Sequence, residues 1–304
     1  MNPLLGIALV LAATLVFTIM GALVRYLGQV VPLGEIVFSR SFFALIPLLA
    51  FLAWRQELTT ALRVNSLFAH VSRSLTGVAG MFMNFAALAL LPLADATAIG
   101  FAAPIFSVVL AALILGEVVR IRRWTAVGVG FIGVLVMLSP YLGSGALDAG
   151  ATLGAFLALA GAFTVAGAMT QVRHLSRTET TGSLVFYFSV ICCFCGLATL
   201  PWGWIVPTPR EFALMVAMGL LGGVGQILIT ESYRHASAAV LAPFAYSAMI
   251  YSIVIGYVWF TEVPETVVLA GAAIVIAAGL FVIWRERKLG LDRTEEKRAE
   301  GPSG

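Results

Sequence analysis

Apolar side chains in this sequence come in long unbroken runs, and polar ones are confined to the short stretches between them. The runs can be drawn at about 4–24, 33–54, 67–91, 94–116, 124–142, 150–171, 181–205, 212–234, 237–260 and 264–284. Most are close to the roughly 20 residues that an α-helix needs to cross a hydrocarbon core. They are continuously apolar and do not alternate over about ten residues, which excludes a membrane β-barrel. The pattern predicts an all-α integral membrane protein with ten transmembrane helices and no soluble domain between them. The first run has no positively charged leader and is read as a retained helix, not a signal peptide.

Composition agrees. Of 304 residues, 61% are hydrophobic and only 11% charged, with a mean hydropathy of +1.01. A soluble protein carries about a quarter charged side chains, so soluble dinucleotide-binding, barrel and DNA-binding readings drop out. The net charge of +3 is not a basic surface, because six of the eighteen Lys and Arg residues follow the last apolar run. The expected partners are therefore the lipid bilayer and a small-molecule substrate, with no nucleic acid and no partner protein implied. A monomer or weak dimer fits.

Charge also orients the chain. With the N-terminus inside, cytoplasmic segments hold Arg55, Arg63, Arg120, Arg122, Arg123, Arg173, Arg177, Arg234 and the six basic residues after the last apolar run, against Arg25 and Arg210 outside. That bias places both termini in the cytoplasm. All six Trp residues (Trp54, Trp124, Trp202, Trp204, Trp259, Trp284) fall at predicted helix ends, where an amphipathic ring suits the headgroup level.

The chain repeats itself. Phe17-Thr18-Ile19-Met20-Gly21-Ala22 returns as Phe163-Thr164-Val165-Ala166-Gly167-Ala168, an offset of 146 with four of six positions identical. Gly77, Gly80 and Asn84 match Gly219, Gly222 and Gln226, and Glu117 matches Glu262. Five helices is an odd number, so two such units are inverted in the membrane, the architecture of alternating-access carriers. The predicted division is a first five-helix repeat at 1–145, a second at 146–286, and a charged cytoplasmic tail at 287–304, expected to be disordered.

Length, helix number and tandem units resemble the EamA-type members of the drug/metabolite transporter superfamily over roughly residues 4–286. The resemblance rests on the Glu35 to Arg40 stretch, His70 and Arg73, Pro104 with Glu117, and Glu262. It extends both to YddG-type amino-acid exporters and to carriers that take up S-adenosylmethionine or riboflavin. The stretch Phe101-Ala102-Ala103-Pro104 lacks the aromatic residue that aromatic-amino-acid exporters place before the proline. The resemblance implies a secondary transporter in the bacterial inner membrane that exports amino acids and related small metabolites. The alternative it leaves is an uptake carrier for S-adenosylmethionine-like or riboflavin-like solutes.

Candidate binding residues follow from what is costly in a membrane. Asn84 and Gln226 sit deep in two helices, and an unpaired amide in hydrocarbon costs several kcal/mol, so each is expected to face a cavity, water or substrate. Phe17 and Thr18 of helix one, Thr164 at the matching place in helix six and Thr230 of helix eight are expected to line the same cavity. The flanking glycines serve either ligand approach or plain helix packing. Pro104 and Pro243 interrupt helices four and nine and free backbone carbonyls. Beside them Phe101, Tyr246 and Tyr251 offer rings and phenols to a substrate, with packing as the alternative. Asp95 and Glu117 are read as architectural residues at the membrane interfaces.

Intramembrane ions are functional candidates by default. Arg40 lies roughly 10 Å deep at 1.5 Å per residue, reachable by Glu35, water or a substrate carboxylate. Glu231 is a candidate for coupling, or the partner of Arg234 in a salt bridge. Gly128, Gly130 and Gly133 spell GxGxxG inside an apolar run with no preceding strand, and are read as packing glycines. Cys192, Cys193 and Cys195 are read as apolar fillers, not a metal site. The pattern implies no metal, cofactor or catalytic residue, and no Walker A motif is present. A membrane-embedded enzyme would need convergent nucleophiles or carboxylates at one depth, and a channel a more continuous polar pore.

Overall fold

The computed structural model describes residues 2–114, 121–142, 149–175 and 178–299; Glu117 lies outside the described residues. They form helices α1 (Pro3–Leu27), α2 (Leu33–Trp54), α3 (Leu58–Leu62), α4 (Leu67–Leu90), α5 (Leu93–Gly100), α6 (Ala103–Ile114), α7 (Ile121–Leu142), α8 (Ala149–Leu175), α9 (Thr181–Leu197), α10 (Pro209–His235), α11 (Ala238–Ala245), α12 (Ser247–Phe260) and α13 (Thr266–Ala299). No strand occurs among the described residues. Eight spans are long and apolar enough to cross a membrane, counting α5 with α6 and most of α11 with α12 as one each; α9 and the Thr266–Val282 part of α13 are shorter apolar helices.

Local chemistry sets the helix starts. Asn2 caps α1 by accepting the Leu5 N–H, with Pro3 at the first helical position. Ser66 caps α4 and Thr180 caps α9 in the same way. Thr208 and Glu211 form a reciprocal capping box at the start of α10, satisfying two otherwise orphaned N–H groups. The seventh apolar run was expected to stay helical to 205, but α9 stops at Leu197. Thr199 Oγ1 donates back to the Gly196 carbonyl at 2.6 Å and accepts from Trp204 Nε1 at 2.9 Å, and Gly203 takes a left-handed turn at φ 96°.

The two proline-containing spans are broken. Between α5 and α6 the Phe101 and Ala102 N–H groups bond to Ala98 and Ile99 in tightened turns, because Pro104 supplies no N–H to carry the α ladder across. In the other span the break falls at Tyr246, three residues after Pro243, which itself sits inside α11.

Contacts gather the helices by their ends. At one end, α1 meets the α4–α5 corner through Gly28 against Ala89, and α8 meets the same corner through Gly154 against Leu90 and Leu91. The main apolar packing lies there: Leu91, Ile99, Met137 and Val268 in one cluster, Leu27, Ile36 and Met218 in another. Among the described residues the opposite end holds only small clusters, around Val10 with Leu241 and around Leu48 with Leu52. Along the bundle α1 packs on α10, α4 on α8, α7 on α13, α2 on α9 and α10, and α9 on α4.

Glycines permit these approaches. A Cβ on Gly219 would stand 2.8 Å from the Ser39 carbonyl of α2, and one on Gly80 the same distance from Thr164 Oγ1 of α8. Gly133 is a packing glycine against the Gly271 carbonyl, whereas Gly128 faces open space, so the packing reading fails for that one residue.

Candidate substrate-binding site

The residues singled out from the sequence fall into three groups that the fold keeps apart. The first lies between α2, α9 and α10, where Arg40, Ala44, Phe188, Ser189, Gly222 and Gln226 border a crevice of about 10 Å³, room for a single water. Gly222 lets the arginine pass, since a Cβ there would stand 3.2 Å from Arg40 Nε. Phe17 of α1 packs its ring on Gly225 close by. Thr230 donates to the Gln226 backbone carbonyl at 2.7 Å. Arg40 does not pair with Glu35, whose carboxylate instead accepts the Ile205 N–H at 3.3 Å.

The second group is at the α4–α8 crossing. Asn84 Nδ2 donates to the Gly80 carbonyl of its own helix at 2.8 Å and lies against Gly161. Thr164 donates to the Ala160 and Gly161 carbonyls. Asn84 and Gln226 match in sequence but sit in different helix pairs. The third group is at the two breaks: Phe101, which ends α5, meets Tyr246, which separates α11 from α12, edge to face with centroids 5.1 Å apart. The Tyr246 hydroxyl lies over Gly279 of α13, where a side chain would collide. Tyr251 and Pro243 are half-buried and Pro104 is exposed. Thr18 spends its hydroxyl on the Thr14 carbonyl at 2.7 Å, while Thr14 shares a hydrogen bond of 2.9 Å with Ser247 at the second break.

Sequence reasoning missed most of the ionic contacts. Arg25 pairs with Glu262 and donates to the Leu88 carbonyl at 3.2 Å, while Glu262 accepts the Leu93 N–H at 2.9 Å. Thr261, at φ 56°, delivers that carboxylate in a left-handed turn that costs a non-glycine residue about 1 kcal/mol. Asp95, expected at an interface, is 2% exposed and accepts the Tyr141 hydroxyl. Near the opposite end His70 Nε2 lies 3.4 Å from Glu179. Burial pushes the Glu179 carboxyl up, but the Asn65 N–H, His70 and the Ser66 N–H together hold it below the usual carboxylate range. Glu231 pairs with Arg234 at 3.1 Å, as its spacing suggested, and also with Arg55 at 3.5 Å.

Apolar helices of this length, several of them in one bundle, define a multi-pass membrane protein with sparse polar sites buried between helices. A model of the EamA-like transporter family matches residues 4–139 and again 152–284. The chain belongs to this family. It is 30% identical to an S-adenosylmethionine uptake transporter of Rickettsia prowazekii, covering 93% of this chain and 94% of that protein. Against the pseudopaline exporter CntI of Pseudomonas aeruginosa it is also 30% identical, over 90% of this chain and 94% of the other. A riboflavin transporter of Rhizobium johnstonii is 28% identical over 75% of this chain and 74% of its own length. A solved crystal structure shares the fold, with a TM-score of 0.63 at 18% identity, covering 93% of this chain and 98% of that one. The family and these relatives are transporters of small molecules, so the protein is a membrane transporter and not an enzyme.

Proposed function

We propose that this transporter is a secondary carrier that exports amino acids and related small metabolites across the bacterial inner membrane by alternating access. The observation that carries the reading is a doubled helix pattern. α5 begins at Leu93 and α11 at Ala238, α7 at Ile121 and α13 at Thr266, each pair 145 residues apart. Exchanging each span for its counterpart turns the α1–α10 contact into α8–α4 and the α2–α10 contact into α9–α4, while α2–α9 and α7–α13 map onto themselves. The double match to one family model supports the same division, at 1–145 and 146–286; α13 itself runs on to Ala299, into the 287–304 tail that was expected to be disordered.

Two five-span units joined in tandem are inverted, and inversion gives a carrier its two equivalent end states. The excess of basic residues in alternate loops supports cytoplasmic termini. On that orientation the heavily packed end, with Arg25 and Glu262, faces outward, and the sparsely packed end faces the cytoplasm from which an exported solute enters. Asn84, Gln226 and the Phe101–Tyr246 pair are the proposed contacts, with Glu231 the proposed coupling residue.

The second reading is uptake of S-adenosylmethionine-like or riboflavin-like solutes, favoured by the names of the relatives above. Vesicles of known sidedness, assayed with labelled amino acids, S-adenosylmethionine and riboflavin, separate the two. Saturable efflux of amino acids is expected. Tight uptake of one cofactor-like compound, with no protection of cells against toxic amino acids, overturns export in favour of uptake.

A further inference from the structure

Two cations inside the membrane-spanning helices have no counter-ion among the described residues. Arg40 is 8% exposed, its Nε is buried without a hydrogen-bond partner, and it borders the α2–α9–α10 crevice. Arg73, in the second turn of α4, has Nε and one terminal nitrogen buried and unpartnered. One ring joins them. Phe188 of α9 borders the crevice with Arg40, and the Arg73 guanidinium carbon stands 4.5 Å from its centroid.

The carboxylates described above are committed elsewhere. Glu35 holds the Ile205 N–H, Glu179 the His70 cluster, Glu231 two arginines, and Glu262 the Arg25 guanidinium. A buried cation without a partner costs several kcal/mol, and a ring beneath Arg73 returns only about 0.5–2 kcal/mol. Arg40, the one of the two that borders the crevice, makes it an electrostatic site waiting for an anion.

We infer that Arg40, at the crevice whose Phe188 wall also carries Arg73, binds the free carboxylate of the transported solute. The planar guanidinium fork matches a carboxylate in two-point contact. With room for one water, the crevice takes a carboxylate oxygen in that water's place more readily than a bulkier phosphate. Ser189 donates to the Val185 carbonyl at 3.0 Å, so its oxygen and the Gln226 amide are left to accept from an ammonium group beside the carboxylate. The inference rests on the carrier reading and narrows it: solutes with a free carboxylate bind, and their amides do not.

Binding to the purified full-length protein tests this independently of flux. The probes are methionine, phenylalanine and S-adenosylmethionine, each against its carboxamide, with sodium chloride as an inorganic control; the readout is the ligand-dependent shift in unfolding temperature. At least one acid is expected to bind about tenfold or more tightly than its amide. Arg40→Gln is expected to erase that preference, whereas Arg73→Gln, at a side chain that does not border the crevice, is expected to keep it. Arg40→Lys, which keeps the charge without the fork, guards against a glutamine variant that does not fold and is expected to retain a reduced preference. Ligand-free glutamine variants are expected to unfold no earlier than the parent, because each removes an uncompensated buried charge. Equal binding of acids and amides, an acid preference that survives Arg40→Gln, or chloride protecting as well as the acids overturns the site. Acid-selective binding in a protein that moves none of the probes across vesicles upholds the site and counts against the carrier reading alone.

Discussion

Arg25, in the last turn of α1, is ion-paired with Glu262, the second residue beyond α12, and the pair is pinned to the α4–α5 corner from both sides. The guanidinium donates to the Leu88 carbonyl and the carboxylate accepts the Leu93 N–H. Four chain segments thus meet at one partly exposed contact, with side chains 18% and 14% exposed.

Because each partner also serves a backbone group of fixed polarity, charge reversal does not restore this contact. Glu262→Gln is expected to lower stability by about 1–3 kcal/mol, the range for a charged hydrogen bond. The double variant Arg25→Glu with Glu262→Arg restores opposite charges but turns a cation toward the Leu93 N–H and an anion toward the Leu88 carbonyl. It is expected to recover less than half the loss in a double-mutant cycle of thermal unfolding. Full recovery would reduce the contact to a simple ion pair.

Glu179 gives a pH dependence whose sign is fixed. Its carboxyl titrates below the usual range in the folded protein, against about 4.3 in an unfolded chain. The stabilisation is therefore fully present above about pH 5 and is lost as the pH falls through the lower folded value. Glu179→Gln, at a side chain only 3% exposed, is expected to cost about 1–3 kcal/mol at neutral pH and progressively less as the pH falls through the lowered folded value, where the parent loses the same charge. A constant difference across that interval would contradict the assignment.

Among the described residues, eight of the ten expected spans appear at full length, legible because the bilayer imposes one length on every crossing and runs near 20 residues announce themselves. Phe101 and Tyr246 were picked out by the prolines beside them, and the fold brings those two rings together. The site as a whole was not legible. Periodicity places Asn84 and Gln226 on matching faces of matching helices, but which neighbour each face meets depends on packing between distant segments. For the same reason Arg25 gave no sign of Glu262, nor His70 of Glu179. Arg40 was recognised as a costly buried ion, yet its lack of a partner emerges only once Glu35 is found on the Ile205 N–H.

Glycine substitutions separate close helix approach from mere composition. Gly219→Ala places a methyl 2.8 Å from the Ser39 carbonyl and against Phe43, backbone that cannot swing away. A loss of about 1–3 kcal/mol is expected, as for other overpacked cores. Gly128 on α7 faces nothing within 4 Å, and Gly128→Ala is expected to be neutral or to stabilise by up to about 1 kcal/mol through helix propensity. Thermal unfolding of the two variants side by side is the measurement, and similar shifts would contradict the packing described for α2 and α10.

Gln226→Leu tests whether the crevice handles solute. The side chain borders the crevice but makes no hydrogen bond among the described residues; the bond from Thr230 goes to the Gln226 backbone carbonyl, which leucine keeps. Leucine is close in volume, so the fold loses little, whereas a solute or water that bonds to the amide loses about 0.5–1.5 kcal/mol, up to roughly a tenfold drop in affinity. Expression and unfolding temperature are therefore expected to stay near the parent values while the apparent affinity in vesicle transport weakens severalfold. Gln226→Glu sharpens the test. It puts a carboxylate beside Arg40 and, by pairing with that arginine, is expected to abolish binding of acids while raising the unfolding temperature. Parallel loss of expression and transport in the leucine variant would instead assign Gln226 to packing between α2, α9 and α10.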